Sequence, residues 1–159
     1  MAKLERKLLA HFINAGTDEA PCFVRLGKDL EEFSPELSAS VEHSKNILGQ
    51  TSVVISGYEK SGAVSPFYAE AGDPLFEKLE AIIDGDLTLD ALKVRTVDVK
   101  LWKPGETENR YEAVAENAYL EVTGYGGDTT GIQIPFVLHY TGEKVKGEFD
   151  IREKLFYTA

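Results

Sequence analysis

One segment of this chain has the pattern of an amphipathic α-helix, and most of the rest has the pattern of β-structure. Residues 73–85 begin with Asp73, which suits a helix cap, and with Pro74 at the first helical position. Gly85 is expected to supply the left-handed residue that ends the helix. A helix between two groups of strands has to lie across a sheet or close the end of a barrel. We predict packing on a sheet through one apolar stripe: Leu75, Phe76, Leu79, Ile82 and Ile83.

Strand patterns lie on both sides of this segment. We expect a bulge near Asn117 and a chain reversal at residues 141–144, where a Thr-Gly-Glu-Lys sequence stands. The predicted fold is mainly β: a single domain of residues 1–159, with two packed antiparallel sheets forming a sandwich or barrel, flanked by one helix. The strand-like segments are residues 7–15, 21–26, 51–58, 64–71, 94–102, 110–125 and 132–140.

The segment of residues 145–155 predicts a strand with one apolar and one charged face. Val145, Phe149, Ile151 and Leu155 alternate with charges of both signs. Such charges on an outer strand face discourage unwanted edge pairing. An ordinary solvated face and a subunit-facing surface are both open for the charged side: Lys146, Glu148, Asp150, Arg152 and Lys154.

Residues 38–50 interrupt the β pattern. They are mostly polar, show no helical period and are too many for a tight turn. Long loops in compact domains are usually functional or disordered. We predict an exposed, extended polar loop, which is either a contact surface or a solvated insertion.

The charge balance argues against some functions. With 27 acidic and 17 basic residues, the net charge is −10, whereas proteins that grip nucleic acid by its phosphates concentrate Lys and Arg. No apolar run approaches the roughly 20 residues of a membrane span. The first residues do not have the pattern of a signal peptide. We therefore expect a soluble protein that does not enter a membrane.

The motifs of catalysis and metal binding are missing from the sequence. His11, His43 and His139 lack ligand spacing, and the glycine-rich residues 124–131 lack the Gly-Lys-Ser/Thr ending of a phosphate loop. Cys22, the only cysteine, stands beside Phe and Val and is expected to be a buried structural thiol. We predict no enzyme activity, no metal and no cofactor.

Several motifs follow one another along the chain. Residues 23–36 contain an aromatic-x-Arg-x-Gly strand and a Leu-x-x-Phe-Ser-Pro turn, and residues 72–79 begin a helix with Gly-Asp-Pro-Leu. Residues 51–57 are a β segment that starts with Thr, and residues 134–150 contain Ile-Pro-Phe and Gly-Glu-Phe-Asp. This order resembles that of phage tail tube (major tail) proteins over nearly the whole chain. The family usually has Trp at the position of Phe23.

The resemblance implies a structural protein of the virion tail, made in the host cytoplasm. Copies would form hexameric rings whose sheets join into an inner barrel, and the rings would stack into a tube through which DNA passes without sequence preference. Its other partners would be tail proteins: the tape measure, the tail terminator and the baseplate or tip. The loop of residues 38–50 would then be a ring-to-ring contact, with these candidate residues: Ser38, Val41, Glu42, His43, Lys45 and Leu48.

Two alternatives remain from the sequence. A β-barrel whose helix plugs one end would hold a small molecule in its interior. The tube subunit of a related phage-tail-like secretion or bacteriocin particle would share the same sequence features. An enzyme is the weakest hypothesis, because the sequence shows no set of catalytic residues that supports it.

Overall fold

The computed structural model describes residues 2–30 and 32–159, and strands dominate this part of the chain. Helix α1 spans Pro74–Gly85, and short 3₁₀ turns cover Arg6–Leu8 and Leu89–Leu92. The prediction of a mainly β, antiparallel fold with one helix is confirmed for the described residues. The strands are β1 (Leu9–Asn14), β2 (Phe23–Leu26), β3 (Glu36–Lys45), β4 (Thr51–Val64), β5 (Lys93–Pro104), β6 (Arg110–Val122), β7 (Gly126–Asp128), β8 (Gly131–Gln133), β9 (Phe136–Asp150) and β10 (Leu155–Thr158).

One large antiparallel sheet contains eight of these strands. Its order is β2-β1-β5-β6-β9-β4-β3, and β10 also pairs with β9; β7 and β8 form a separate two-stranded sheet. Because the order starts at β2 and ends at β3 without pairing the two, the sheet does not close into a barrel. The barrel in the predicted fold is therefore corrected to one open, curled sheet.

Strand β9 has the same partner along one edge and two successive partners along the other. It pairs with β6 from Phe136 to Tyr140 and from Lys144 to Asp150, with β4 from Phe136 to His139, and with β10 from Gly147 to Asp150. The register against β6 shifts between Glu116 and Ala118, which agrees with the bulge expected near Asn117. The predicted reversal at residues 141–144 is wrong, because β9 runs on through Gly142 and pairs with β6 on both sides of the irregular residues 141–143.

Helix α1 lies on one face of the sheet. The Asp73 carboxylate accepts a hydrogen bond from the Leu75 N–H at 3.0 Å, and Pro74 occupies the first turn. Leu75, Leu79 and Ile82 are buried, while Phe76 and Ile83 are partly buried against the same core cluster. The left-handed residue at the end is Asp86, with φ 47°, and not Gly85. Aspartate tolerates this conformation because its short side chain bonds locally.

A second apolar cluster occupies the opposite face of the sheet. The rings of Phe12 on β1 and Phe149 on β9 are 4.5 Å apart between centroids, although β5 and β6 lie between these strands. In a flat sheet, three strand spacings would separate the two strands by about 14 Å. The sheet is therefore strongly curled, and its concave side is filled by Phe12, Phe149, Phe23 and the small side chains of Ala113 and Ala115.

The helix packing yields a stability prediction. Leu79 is fully buried, so Leu79→Asp should unfold the protein, or destabilise it by more than about 4 kcal/mol, because it buries an unpaired charge. Urea denaturation followed by circular dichroism measures the loss. Lys78→Glu on the same helix is the control and should retain the wild-type unfolding curve. A cooperatively folded Leu79→Asp protein would show that the helix does not pack as described.

Candidate assembly surface

Strands β3 and β4 form a long β-hairpin where a loop was predicted. Residues 38–50 are exposed and extended as expected, but the loop assignment is wrong, because Glu36 to Lys45 pair with Ser61 to Thr51. The turn is built by Asn46, whose side-chain oxygen accepts the N–H groups of Leu48 and Gln50 at 3.0 Å. Gly49 takes φ 80°, which favours glycine. The turn is therefore well defined and presents its remaining side chains outward.

Most of this hairpin projects beyond the body of the molecule. In β4, residues 61–64 pair with β9, whereas residues 51–60 pair with β3 alone among the described residues. Ten residues of extended chain reach about 33 Å. An isolated two-stranded hairpin is only marginally stable in water. A ribbon of this length therefore has more to gain from a partner than an ordinary surface loop has.

The two faces of the hairpin differ in chemistry. Opposed residues of an antiparallel pair share a face, so the register sorts every side chain. One face, which we call the polar hairpin face, carries Ser38, Ser40, Glu42, Ser44, Ser52 and Glu59, with Val54 as its one large apolar side chain. The other, the apolar hairpin face, has side chains that are between 46% and 64% exposed: Leu37, Val41, Val53, Ile55 and Tyr58.

The hairpin divides the predicted contact residues between its two faces. Val41, His43 and Lys45 stand on the apolar hairpin face, whereas Ser38 and Glu42 stand on the polar one. Leu48 lies in the turn and is 77% exposed, beside Ile47 at 103%. Prediction from sequence missed Val53, Ile55 and Tyr58, although they belong to a segment that was already recognised as β.

The predicted charged face of residues 145–155 needs correction. Strand β9 ends at Asp150, which is buried, and its carboxylate accepts the N–H groups of Arg152 and Glu153 at 2.9 Å. Arg152 and Lys154 therefore belong to a turn and not to the strand face. Of the predicted set, Lys146 is exposed, Glu148 is partly buried and the buried Asp150 organises the turn. These hydrogen bonds in the turn explain why a charged residue is buried here.

A buried charge network lies where β4 leaves β9. Glu116 on β6 is only 4% exposed; one oxygen is 3.2 Å from the Lys60 ammonium, and the other accepts the Gly142 N–H at 3.0 Å. Lys60 is the residue next to the β4 segment that pairs with β9. Glu116 therefore ties together the projecting strand, the irregular part of β9 and β6. We call this point the fork.

The network continues from the fork towards β1. The Asp98 carboxylate is 3.6 Å from the Lys60 ammonium and accepts a hydrogen bond from His11 Nδ1 at 2.7 Å. Arg6 Nη2 is 2.8 Å from His11 Nε2. Because a guanidinium only donates, Nε2 accepts, which leaves the proton on Nδ1. His11 thus bridges the Arg6 guanidinium and the Asp98 carboxylate.

Burial and charge shift two acid groups in this network. Burial on its own would raise the pKa of the Asp98 carboxyl, but the His11 hydrogen bond and the Lys60 charge outweigh it, so that the pKa lies below its ordinary value. Burial, together with the charges of Asp98 and Glu116, raises the pKa of the Tyr140 phenol far above its usual range. The Lys60 ammonium stands over the Tyr140 ring, 4.3 Å from its centroid. Asp98 therefore keeps its negative charge beside Lys60, whereas Tyr140 stays an uncharged phenol.

Other candidate sites are weaker. Cys22 is exposed, so the prediction that it is buried is wrong. It directly precedes β2, and its backbone N–H donates a hydrogen bond to the Asn14 side-chain oxygen. Within residues 2–30 and 32–159, His, Cys, Asp and Glu side chains form no group of three that could hold a metal ion. No helix in that part of the chain is long and apolar enough to span a bilayer. The projecting hairpin is the feature that distinguishes this surface.

Comparison with known proteins does not extend this picture: models of protein families find no match in the sequence, and neither do curated proteins.

The fork yields a pH prediction. Because the pKa of Asp98 is lowered on folding, its charge stabilises the protein above the unfolded value of 3.8, and this stabilisation is lost as the pH falls through the folded pKa. Asp98→Asn should destabilise the protein by about 1–3 kcal/mol at pH 7. The difference from wild type should shrink as the pH falls below 3.8 and Asp98 becomes protonated in the folded protein as well. Urea denaturation at each pH measures it, and a difference independent of pH would contradict the assignment.

Proposed function

We propose that this chain is the structural subunit of a phage tail tube. Copies assemble into hexameric rings, and the rings stack into a conduit through which DNA passes during ejection. The subunit does no catalysis; its partners are further copies of itself and the other tail proteins, and its place is the tail of the virion. The motif order along the chain and the projecting hairpin support this proposal from independent sides.

The apolar hairpin face supports the proposal most directly. Val53, Ile55 and Tyr58 stand in water on a ribbon that the body of the molecule does not cover. Contiguous apolar surface of this kind is typical of protein interaction sites. A marginal hairpin that buries this face against another copy gains the stability it lacks alone. A subunit built for repeated assembly has reason to carry such a ribbon, whereas a monomer does not.

The charge of the protein is compatible with a DNA conduit. A basic lumen would hold the phosphates by releasing counterions and would slow transit. A chain with a net charge of −10 is not expected to bind the phosphates in this way. The tube of a phage-tail-like secretion or bacteriocin particle would have the same architecture, and the cargo distinguishes the two.

The small-molecule barrel has less support than the tube. The large sheet is open, and aromatic and small side chains fill its concave side. Phe12 and Phe23 both pack on Phe149 there, with ring centroids 4.5 and 5.5 Å away. The interior that a ligand would need is thus occupied by the protein's own core.

Assembly should depend on one face of the hairpin. Val53→Asp with Ile55→Asp should leave the monomer folded, since both side chains are already exposed, and should raise the concentration needed for assembly by more than about tenfold. Light scattering during size-exclusion chromatography and negative-stain electron microscopy measure this. Ser52→Asp with Val54→Asp puts the same charges on the polar hairpin face of the same strand and should assemble nearly normally. Equal effects from both pairs would refute a one-sided contact.

Removal of the outer hairpin is the coarser test. Deletion of residues 41–48 should retain the circular dichroism spectrum expected for the body, because both core clusters lie outside the deleted residues. It should abolish rings and tubes at every concentration. Tubes of normal length from this variant would exclude the hairpin as an assembly element. A wild-type protein that stays a dispersed monomer at all concentrations would refute the tube itself.

A further inference from the structure

The turn of the hairpin carries two apolar side chains that nothing in the described chain covers. Ile47 is 103% exposed and Leu48 is 77% exposed. They are held outward by the hydrogen bonds of Asn46, so little conformational freedom is lost when they bind. We call Ile47 and Leu48 the hairpin tip.

A groove with matching chemistry lies at the end of helix α1. It has a volume of about 540 Å³ and runs between the last turn of the helix and the end of β6. Leu87 and Tyr125 on its wall are 39% and 56% exposed. We call it the helix-end groove; its apolar lining is Ile82, Ile83, Leu87, Leu92, Leu120, Val122 and Tyr125.

The tip and the groove lie at opposite ends of the molecule. Strand β4 starts beside the tip at Thr51 and ends at Val64, which pairs with Phe136; Phe136 pairs in turn with Val122 in the groove. Thirteen residues of extended chain separate the two ends by roughly 40 Å. A tip cannot reach the groove of its own chain. The occupant that fits this arrangement is the tip of a second copy.

We infer that the hairpin tip of one copy inserts into the helix-end groove of the next. This inference rests on the proposed tube function and names the surface that receives the hairpin. Asp86 and Glu121 line the groove, and Lys45 stands beside the tip, so the charges are complementary in a protein that otherwise repels its copies. A contact between two different surfaces propagates from copy to copy, as ring or tube growth requires.

Disulfide trapping tests the contact. In a Cys22→Ser background, copies with Leu48→Cys are mixed with copies with Thr88→Cys, assembled and oxidised with diamide. Thr88 lines the groove, is exposed and makes no capping hydrogen bond. Because a disulfide needs Cα atoms within about 7 Å, we expect a product at twice the chain mass of 17.6 kDa. Each variant alone, and Leu48→Cys mixed with Lys146→Cys, should stay at the mass of one chain.

The outcomes separate this contact from the tube. Assembled particles without the disulfide between residues 48 and 88 overturn the contact and leave the tube function standing. A dispersed monomer at every concentration overturns both. As a second measurement, Ile47→Ser with Leu48→Ser should keep the circular dichroism spectrum of the monomer and raise the assembly concentration at least about tenfold. An unchanged assembly concentration also overturns the contact.

Discussion

The pairing of β9 is the constraint on which the rest of the molecule depends. Strand β6 pairs with one edge of this strand on both sides of residues 141–143, while β4 and β10 pair with different parts of the other edge. Beyond His139, β4 no longer pairs with β9, and further along β10 takes the edge that β4 would otherwise extend. The hairpin projects because residues 51–60 of β4 have no partner in the sheet other than β3 among the described residues.

Glu116 makes this departure well defined. A buried carboxylate without partners would be strongly destabilising, and here Lys60 and the Gly142 N–H satisfy it from two different strands. Asp98 and His11 extend the same network to β1. The orientation of the hairpin relative to the body is therefore coupled to charges inside the sheet, and not only to the flexibility of the ribbon.

Sequence patterns predicted some of these features and not others for physical reasons. The helix followed from its cap, its proline and its apolar period, which are all local signals. The hairpin was missed because several residues of β3, among them Ala, Glu and Lys, have low strand propensity. In addition, both of its faces are exposed, so the sequence lacks the alternation of apolar and polar residues that marks a half-buried strand. The continuity of β9 through Gly142 depends on pairing with β6 on both sides of residues 141–143, which a turn-like Thr-Gly-Glu-Lys sequence does not reveal. The charge network could not be predicted because it joins residues that are distant in the chain, such as His11 with Asp98 and Lys60 with Glu116.

The way β4 enters the sheet also determines how the subunit would respond to force. The backbone hydrogen bonds between β4 and β9 run perpendicular to the strands, so a pull along the hairpin axis acts on all of them in shear. A pull across the sheet would instead separate them one after another. A subunit held by its hairpin would thus resist a pull along the hairpin axis far better than bending. The ion pair between Lys60 and Glu116 would strengthen the attachment where β4 leaves β9.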